Sequence, residues 1–479
     1  MKTPGAMTKP QTGLIGLGTM GAALALNIAE KGFPIAVWNR TTSVTRAFKA
    51  GAGDLADSIT PTETLADLVA AITPPRAIIL MVPAGPAVDD MLTALAPLLS
   101  PDDLVIDAGN ANFHDTNRRS AAGLPFRFMG IGVSGGEEGA RHGPAIMAGG
   151  TPEDWTRMAP VFQAIAAKAE DGTPCADYMG QAGAGHFVKS VHNGIEYADM
   201  QMIAEVYGVM RDGLGLTASE IAPVFARWNE GALRSYLVEI SAAVAAATDP
   251  IKGGALLDMI VDAAGQKGTG RWTAIEAQNL AAPIPVIEAA VMARNVSSRR
   301  GERAAGEVLY GPAPTRADLS LDDLEHALIA GKILCYAQGF AMMTAAATDF
   351  GWALGMPAIA RVWRAGCIIR SAMLNDMATA LAAHPGQNLI LAPFFADHLR
   401  RSLPSLRRVV AAGALNGLGL PALSAGLAWF DLMRTARGTA NMIQGQRDFF
   451  GLHGFQRLDG QDYPHGPWAD HEATVSATP

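Results

Sequence analysis

Cysteine is scarce in this sequence, and its first residues do not form an apolar stretch. Three cysteines occur in 479 residues. They stand far apart, at Cys175, Cys335 and Cys367, and form no CxxC pair. This usage predicts a reducing compartment such as the cytoplasm and no structural zinc. The opening MKTPGAMTKPQTG has no signal-like apolar core, and Met7 is an alternative initiator to Met1.

Basic charge is not in excess, and uninterrupted apolar stretches are few. Lys and Arg number 37 against 45 Asp and Glu, a net charge of -8, which argues against general nucleic-acid binding but leaves a local basic pocket open. Residues 409–430 carry no charge and are long enough to cross a bilayer. Because this stretch includes Asn416 and Pro421, we expect two buried helices joined near residues 419–421 and no membrane span.

A glycine-rich turn follows the first predicted strand, residues 12–15. It reads Gly16-Leu17-Gly18-Thr19-Met20-Gly21 and precedes a helical pattern to residue 31 and a strand at 34–38. In this context GxGxxG predicts a dinucleotide site rather than a chance turn. Gly16 permits a tight turn, Gly18 lets the backbone approach a pyrophosphate, and Gly21 lets helix pack on strand. The helix N-terminus offers N–H donors to the phosphates.

The end of the second strand indicates which nucleotide binds. It reads Asn39-Arg40-Thr41, where an NAD enzyme usually has an acidic residue for the ribose 2′-hydroxyl. Arg40 can pair with a 2′-phosphate and stack on adenine, so NADP is favoured. An arginine on a solvated turn is the alternative.

Further strands are predicted at residues 77–82, 104–106, 126–133 and 145–148. Val82-Pro83-Ala84 ends the first of these, and Asp107-Ala-Gly-Asn110 follows the second. Ligands bind at strand carboxyl ends in doubly wound sheets, so Asn110 can reach the nicotinamide. Ser134-Gly135-Gly136 opens a glycine-rich loop whose N–H groups suit an anionic substrate, although an ordinary loop also fits.

Residues 186–210 read as one helix with polar residues on one arc. Lys189, His192, Asn193, Glu196 and Tyr197 follow the i, i+3, i+4, i+7, i+8 spacing. Past Tyr197 the arc turns apolar, which predicts a buried helix whose polar stripe is confined to its first turns. Buried lysine, histidine and glutamate need partners or a ligand. A solvated face is the alternative.

From there to about residue 440 helical spacing dominates. A basic, glycine-rich segment at 265–272 favours an anion cradle over a solvated loop, and Arg294 closes a later helical segment. Aromatic residues after 440 suggest that the tail docks on another surface, such as a neighbouring subunit. We therefore expect a nucleotide domain at 1–182, a helical domain at 183–440 and a tail at 441–479.

Eight motifs resemble one family in order and spacing: GLGTMG, NRT, DAGN, VSGGEEGARHGP, GHFVKSVHNGIEY, GQKGTGRWT, WRAGCIIRS and RDFFGLHGF. From about residue 12 to 455 the chain resembles the 6-phosphogluconate dehydrogenases. The resemblance implies oxidative decarboxylation of 6-phosphogluconate to ribulose 5-phosphate and CO2 with NADP and without a metal, in the pentose phosphate pathway. It also implies an α/β Rossmann-like domain, a large all-α domain, and a homodimer in which a short tail enters the partner.

The resemblance also assigns roles by position. Lys189 matches the general base and Glu196 the general acid. The substrate positions are Asn110, Ser134, Gly135, Gly136, His192, Asn193, Tyr197, Lys267, Thr269, Arg294 and, from the partner's tail, Arg447 and His453. The cofactor positions are Gly16, Leu17, Gly18, Thr19, Met20, Gly21, Asn39, Arg40, Thr41, Val82, Pro83, Ala84 and Asn110.

The chain departs from the family pattern at three places. DAGNA replaces DGGNS, GRWT replaces GKWT, and Pro83 replaces a common lysine near the cofactor. The loss of that lysine leaves the NADP-to-NAD preference open.

Two other functions remain as alternatives. One is a β-hydroxyacid dehydrogenase with an unphosphorylated substrate, which would leave the cations at positions 267, 294, 447 and 453 unpaired. The other is a catalytically silent NADP sensor, against which the presence of both Lys189 and Glu196 argues.

Overall fold

The computed structural model describes residues 9–266, 268–462 and 464–470. The chain divides into two compact units, Met1–Gly426 and Leu427–Pro479. The predicted fold class, a Rossmann-like α/β part followed by a large helical part, is confirmed.

The described strands form one sheet. They are β1 (Thr12–Ile15), β2 (Ile35–Trp38), β3 (Ile59–Pro61), β4 (Ala77–Leu80), β5 (Leu104–Asp107), β6 (Arg127–Ser134), β7 (Ala145–Ala148) and β8 (Ala176–Tyr178). Their order is β3-β2-β1-β4-β5-β6-β7-β8. All neighbours are parallel except β6 and β7, which are antiparallel.

The strands are buried on both faces, which explains their continuous apolar sequences. Leu14 pairs in register with Val37 on one side and Ile79 on the other, and these three residues share one core cluster. Their neighbours Ile15 and Leu80 belong to a second cluster on the opposite face. The strand order reverses between β1 and β4, and ligands bind at such a switch point in doubly wound sheets.

Helices alternate with the strands as far as β8 and follow one another after it. They are α1 (Thr19–Glu30), α2 (Thr42–Gly51), α3 (Leu65–Ala71), α4 (Pro86–Leu95), α5 (Phe113–Ser120), α6 (Gly136–His142), α7 (Pro152–Ile165), α8 (Ala184–Gly208), α9 (Ala218–Trp228), α10 (Tyr236–Ala246), α11 (Thr269–Asn279), α12 (Pro285–Ser297), α13 (Arg300–Tyr310), α14 (Leu321–Asp349), α15 (Met356–Val362), α16 (Met373–Ala383), α17 (Pro393–Asn416), α18 (Pro421–Met433) and α19 (Ala440–Gly451).

Two predicted loops are partly helical. In the glycine-rich loop, Gly135 takes a left-handed conformation and α6 begins at Gly136, because glycine can start a helix from a φ that other residues avoid. In the basic segment, Gly268 is left-handed in the same way and α11 begins at Thr269.

The apolar stretch at 409–430 is broken as expected, between α17 and α18, although α17 begins earlier, at Pro393. By length and composition alone, α14 (Leu321–Asp349) could cross a membrane, but 89% of its apolar window is buried inside the protein. Burial in a protein core accounts for such a composition.

Helix α8 is central to the first unit and packs against β6, β7, α11 and α14. Glycines allow the close approach to the sheet: a Cβ on Gly132 would lie 2.4 Å from the Cβ of Lys189, and one on Gly185 would lie 2.4 Å from the Met147 carbonyl oxygen. A π-helical turn, Val209–Gly213, follows α8.

The prediction that buried polar residues are confined to the first turns of α8 is incomplete, because two buried acids lie in its second half. Asp199 accepts hydrogen bonds from Lys332 Nζ on α14 at 2.7 Å to each oxygen. Glu205 accepts the backbone N–H groups of Ala422 and Leu423 in the first turn of α18, at 2.8 and 3.0 Å. These partners lie far along the chain, so the helix's own spacing did not reveal them.

The second unit is organised around Asp448 of α19, whose side chain is fully buried. Its Oδ1 accepts the Gly454 N–H at 2.9 Å and lies 2.7 Å from His465 Nδ1. Its Oδ2 accepts the Gly466 N–H and the Trp468 indole N–H, each at 2.9 Å. These four donors hold the pKa of Asp448 below its usual value against the effect of burial.

Candidate active site

The glycine-rich turn lies at the sheet's switch point, between the carboxyl ends of β1 and β4. Gly16 has φ +99°, and a Cβ there would lie 2.4 Å from the Met81 carbonyl oxygen. A Cβ on Gly21 would lie 1.9 Å from the Gly16 oxygen, so helix and turn are in contact. Nothing lies within 4 Å of a Cβ built on Gly18. The turn is therefore closed on its protein side and open where a pyrophosphate would approach.

The end of β2 is tied to this turn by Asn39. Its Oδ1 accepts the Leu17 N–H at 3.0 Å, and its own N–H donates to Thr45 Oγ1 at 3.1 Å. Arg40 beside it is exposed, and Thr41 precedes α2. The first residues of α1, Thr19 and Met20, and the segment Val82-Pro83-Ala84 after β4 are partly or fully exposed along the same edge.

Three buried side chains form the centre of the site. Lys189 Nζ donates to Ser134 Oγ at 3.0 Å and lies 3.2 Å from His192 Nδ1. His192 Nε2 lies 3.3 Å from Ser134 Oγ. Ser134 ends β6, whereas Lys189 and His192 lie one turn apart on α8. The predicted stripe is therefore buried against the sheet rather than solvated.

Burial shifts the pKa values of this cluster. It lowers the pKa of Lys189, while the Glu196 carboxylate opposes that shift. The pKa of His192 falls well below its usual value because of burial and the neighbouring lysine. Burial raises the pKa of Glu196, which Lys189 and Arg294 oppose. Glu196 Oε2 lies 3.8 Å from His192 Nδ1. Burial therefore shifts the amine toward its neutral form and the carboxyl toward its protonated form on one helix face.

Asn193 links the helix to the nucleotide side. Its Nδ2 donates to Asn110 Oδ1 at 3.4 Å, and Asn110 is exposed just beyond β5. Since β5 ends at the same sheet edge as β1 and β4, Asn110 lies between the turn and α8.

The other end of the stripe meets α11 and α12. The Arg294 guanidinium lies 3.5 Å from the centre of the Tyr197 ring, and its Nη1 donates to the Gly265 carbonyl at 3.0 Å. A Cβ on Gly270 would lie 2.5 Å from that ring. Thr269 is buried at the start of α11. Lys267, predicted here, lies outside the described residues.

The segment 363–372 forms a wall of the site that sequence reasoning did not assign. The Trp363 ring lies 5.8 Å from that of His192, nearly edge-on. Burial raises the pKa of the Cys367 thiol to about 12, so it stays protonated beside Lys189. Both belong to WRAGCIIRS, a motif that the resemblance includes without giving it a role.

The predicted tail residues Arg447 and His453 belong to the second unit. Arg447 lies on α19, where its Nη1 donates to Gln444 Oε1 at 3.1 Å. His453 follows Leu452, a residue with φ 48°. Both side chains are exposed. Among the described residues of the chain, no group of three or more His, Cys, Asp or Glu side chains could hold a metal ion.

Comparison with protein-family models assigns both halves of the chain. Residues 11–180 match the NAD binding domain of 6-phosphogluconate dehydrogenase, and residues 185–468 match the 6-phosphogluconate dehydrogenase C-terminal domain. The chain belongs to the 6-phosphogluconate dehydrogenase family.

Individual relatives agree over nearly the whole length. The decarboxylating 6-phosphogluconate dehydrogenase of Treponema pallidum is 47% identical over 95% of this chain and 96% of its own. That of Mus musculus is 44% identical over 98% of this chain and 99% of its own. A solved Plasmodium falciparum 6-phosphogluconate dehydrogenase, described in its apo form and in complex with NADP+ and with 6-phosphogluconate, has a TM-score of 0.92 at 36% identity and covers 96% of this chain and 100% of its own.

Proposed function

We propose that this chain oxidises and decarboxylates 6-phosphogluconate to ribulose 5-phosphate and CO2, with reduction of NADP to NADPH. The observation that carries the proposal is the buried contact of Lys189 with Ser134 and His192, with Glu196 on the same helix face. The chain's membership of the 6-phosphogluconate dehydrogenase family supports it.

NADP fits the sheet's switch point. The open approach above Gly18 suits a pyrophosphate, and the first N–H groups of α1 would face it. Arg40 is exposed and next to Asn39, where a 2′-phosphate would accept its guanidinium N–H groups. Bound there, NADP supplies a hydride acceptor.

The substrate would lie over the polar stripe of α8. Ser134, His192 and Asn193 offer hydrogen bonds to its carboxylate and hydroxyls, and the N–H groups of Gly135 and Gly136 would face its anionic end. Thr269 and Arg294 would hold the phosphate, and Lys267 is proposed with them from its position in the sequence. A dianionic phosphate requires such cations when it is desolvated.

Lys189 acts first as a base. The substrate hydroxyl loses its proton to Lys189 Nζ as the carbon that bears this hydroxyl loses its hydride. Burial favours the neutral amine that this step needs. His192 stays neutral because its own pKa is lowered, and Ser134 fixes the direction of the amine by accepting its hydrogen bond.

Lys189 then acts as a donor. Its protonated amine hydrogen-bonds to the new carbonyl oxygen and stabilises the enolate that forms as the carboxylate leaves as CO2. The carbanion end of the enolate takes a proton from Glu196, whose raised pKa favours the protonated form that this step needs. Lys189 is then protonated and Glu196 is a carboxylate, so the transfer of one proton from Lys189 to Glu196 restores both groups, and the cycle neither takes up nor releases a proton.

We further propose a homodimer in which Arg447 and His453 of one subunit complete the phosphate site of the other. The support is that Arg447 and His453 are exposed on a tail that the buried Asp448 organises by itself. The chain would then consist of a nucleotide domain at 1–182, a helical domain at 183–440 and a tail at 441–479. The three buried, unbridged cysteines suit the reducing cytoplasm.

The test is a stoichiometric assay of the purified protein with NADP. We expect equal amounts of NADPH and CO2 from 6-phosphogluconate and little of either from gluconate, which lacks the phosphate. NADPH without CO2, or equal activity with gluconate, would refute the proposal and favour a β-hydroxyacid dehydrogenase of another specificity. NADP binding without turnover would favour a silent sensor.

A further inference from the structure

Arg119 is a buried arginine outside the proposed catalytic cluster. It lies in the last turn of α5 with 1% of its surface exposed. A guanidinium stays charged in proteins, so its burial is costly unless it is fully paired. Its partners therefore indicate what the burial achieves.

These partners come from two different strand ends. Arg119 Nε and Nη2 donate to the two oxygens of Asp89, both at 2.9 Å, and Nη2 also donates to the Gly85 carbonyl at 2.9 Å. Its Nη1 donates to Asp107 Oδ2 at 3.4 Å. Gly85 and Asp89 follow β4, whereas Asp107 is the last residue of β5. One side chain thus joins the two segments.

Each segment leads directly to a proposed cofactor contact. Gly85, with φ +93°, follows Val82-Pro83-Ala84. Asp107 Oδ1 accepts the Gly109 N–H at 3.0 Å, which shapes the turn before Asn110. Asn110 in turn contacts Asn193 on α8. Beyond the last backbone pair of the two strands, Leu80 with Asp107, Arg119 therefore links the loop after β4 to the segment that carries Asn110 and its contact with α8.

We propose that Arg119 is a positioning residue that holds the segments following β4 and β5 against each other, and so sets the nicotinamide against the substrate carbon above Lys189. It touches neither ligand and acts through Gly85 and Asp107. The inference rests on the proposed function. Because hydride transfer depends steeply on the approach of the two carbons, a small relaxation of these segments slows it strongly.

Arg118 is a matched control on the adjacent position. Its Nη2 also donates to both Asp89 oxygens, at 3.1 and 3.0 Å. Among the described contacts it reaches neither Gly85 nor Asp107, pairing otherwise with Asp115. Arg118→Lys and Arg119→Lys therefore make the same change beside the same carboxylate, but only the second loosens the link between segments.

The experiment compares both variants with the wild type in three measurements: KM for NADP, kcat, and the isotope effect with substrate deuterated at the oxidised carbon. For Arg119→Lys we expect KM for NADP to rise and kcat to fall, each by about tenfold, with a larger isotope effect because hydride transfer becomes slower relative to other steps. For Arg118→Lys all three should stay within about twofold of the wild type, because a largely exposed ion pair contributes little.

An unchanged isotope effect and an unchanged KM for NADP in Arg119→Lys would overturn the proposal. This holds even if the variant were less thermally stable, because Arg119 would then only stabilise the fold. If Arg119→Lys does not fold, Asp107→Asn decides in the same way, because its amide oxygen can still accept the Gly109 N–H whereas its amide nitrogen cannot accept from Arg119, so the link to Arg119 is lost. NADPH binding by fluorescence in the same variants remains informative should the wild type prove inactive on 6-phosphogluconate, so failure of the proposed function is distinguishable.

Discussion

Lys189 Nζ lies 3.0 Å from Ser134 Oγ although 55 residues separate them in the chain. The contact places the carboxyl end of β6 directly over the first turns of α8. It is possible because Gly132 and Gly185 have no side chains where strand and helix meet. The amine is thereby held in a buried, hydrogen-bonded position that lowers its pKa.

The pH dependence of hydride transfer should report this amine. Burial lowers the pKa of Lys189 from 10.5, and the Glu196 carboxylate raises it part of the way back. Because Lys189 must be neutral, single-turnover NADPH formation should rise with pH through a pKa below 10.5. Glu196→Gln removes a negative charge, so the rise should move to lower pH while NADPH still forms. A shift to higher pH in that variant would contradict the assigned coupling.

The stability of the fold should depend on pH through Glu205. Burial raises its pKa to about 7 from 4.5, despite the two N–H groups of α18 that it accepts. A carboxyl with a raised folded pKa contributes stability below its unfolded pKa and loses it as pH rises through the folded value. We therefore expect the free energy of unfolding of Glu205→Gln, measured in urea relative to the wild type, to rise by about 2 kcal/mol between pH 5 and pH 8. A constant difference would refute the shift.

Cofactor preference should depend on Arg40. Its loss removes a charge-assisted contact to the 2′-phosphate, so Arg40→Ala should lower kcat/KM for NADP by about tenfold to a hundredfold while changing that for NAD little. Arg46→Ala is the control, since Arg46 is exposed on α2 and pairs with Glu63. An equal loss with both nucleotides would mean that Arg40 does not contact the 2′-phosphate. The wild-type ratio also shows whether Pro83 weakens the preference.

The shared site predicts complementation between two inactive chains. Lys189→Met carries an intact tail, and Arg447→Ala carries an intact Lys189. In a heterodimer the tail of the first completes the site of the second, so mixing the chains under conditions of subunit exchange should restore activity. Truncation after residue 440 should abolish activity and be rescued by Lys189→Met in the same way. A mixture that stays inactive although heterodimers form would contradict the tail exchange.

Local spacing was enough to predict part of the site. The glycines at 16, 18 and 21 follow a pattern whose geometry is set within one turn, and the stripe of α8 follows from helical periodicity. Contacts between distant segments were not predictable in this way. The partners of Asp199 and Glu205 lie 133 and 217 residues away, so the spacing of α8 did not predict these contacts.

Composition was misleading where glycine was dense. Segments around Gly135 and Gly268 were predicted as loops, yet each glycine starts a helix from a left-handed conformation. The wall formed by Trp363 and Cys367 had no local signal beyond its motif, because its role depends on the approach of segment 363–372 to α8.

Lys189 is proposed to remove the hydroxyl proton and then to stabilise the enolate. The most direct test is single-turnover formation of NADPH and CO2 from 6-phosphogluconate by Lys189→Met, beside Lys168→Met as a control at an exposed lysine. We expect Lys189→Met to form neither product while still binding NADPH, and Lys168→Met to form both at the wild-type rate. Near-normal formation of NADPH and CO2 by Lys189→Met would contradict it.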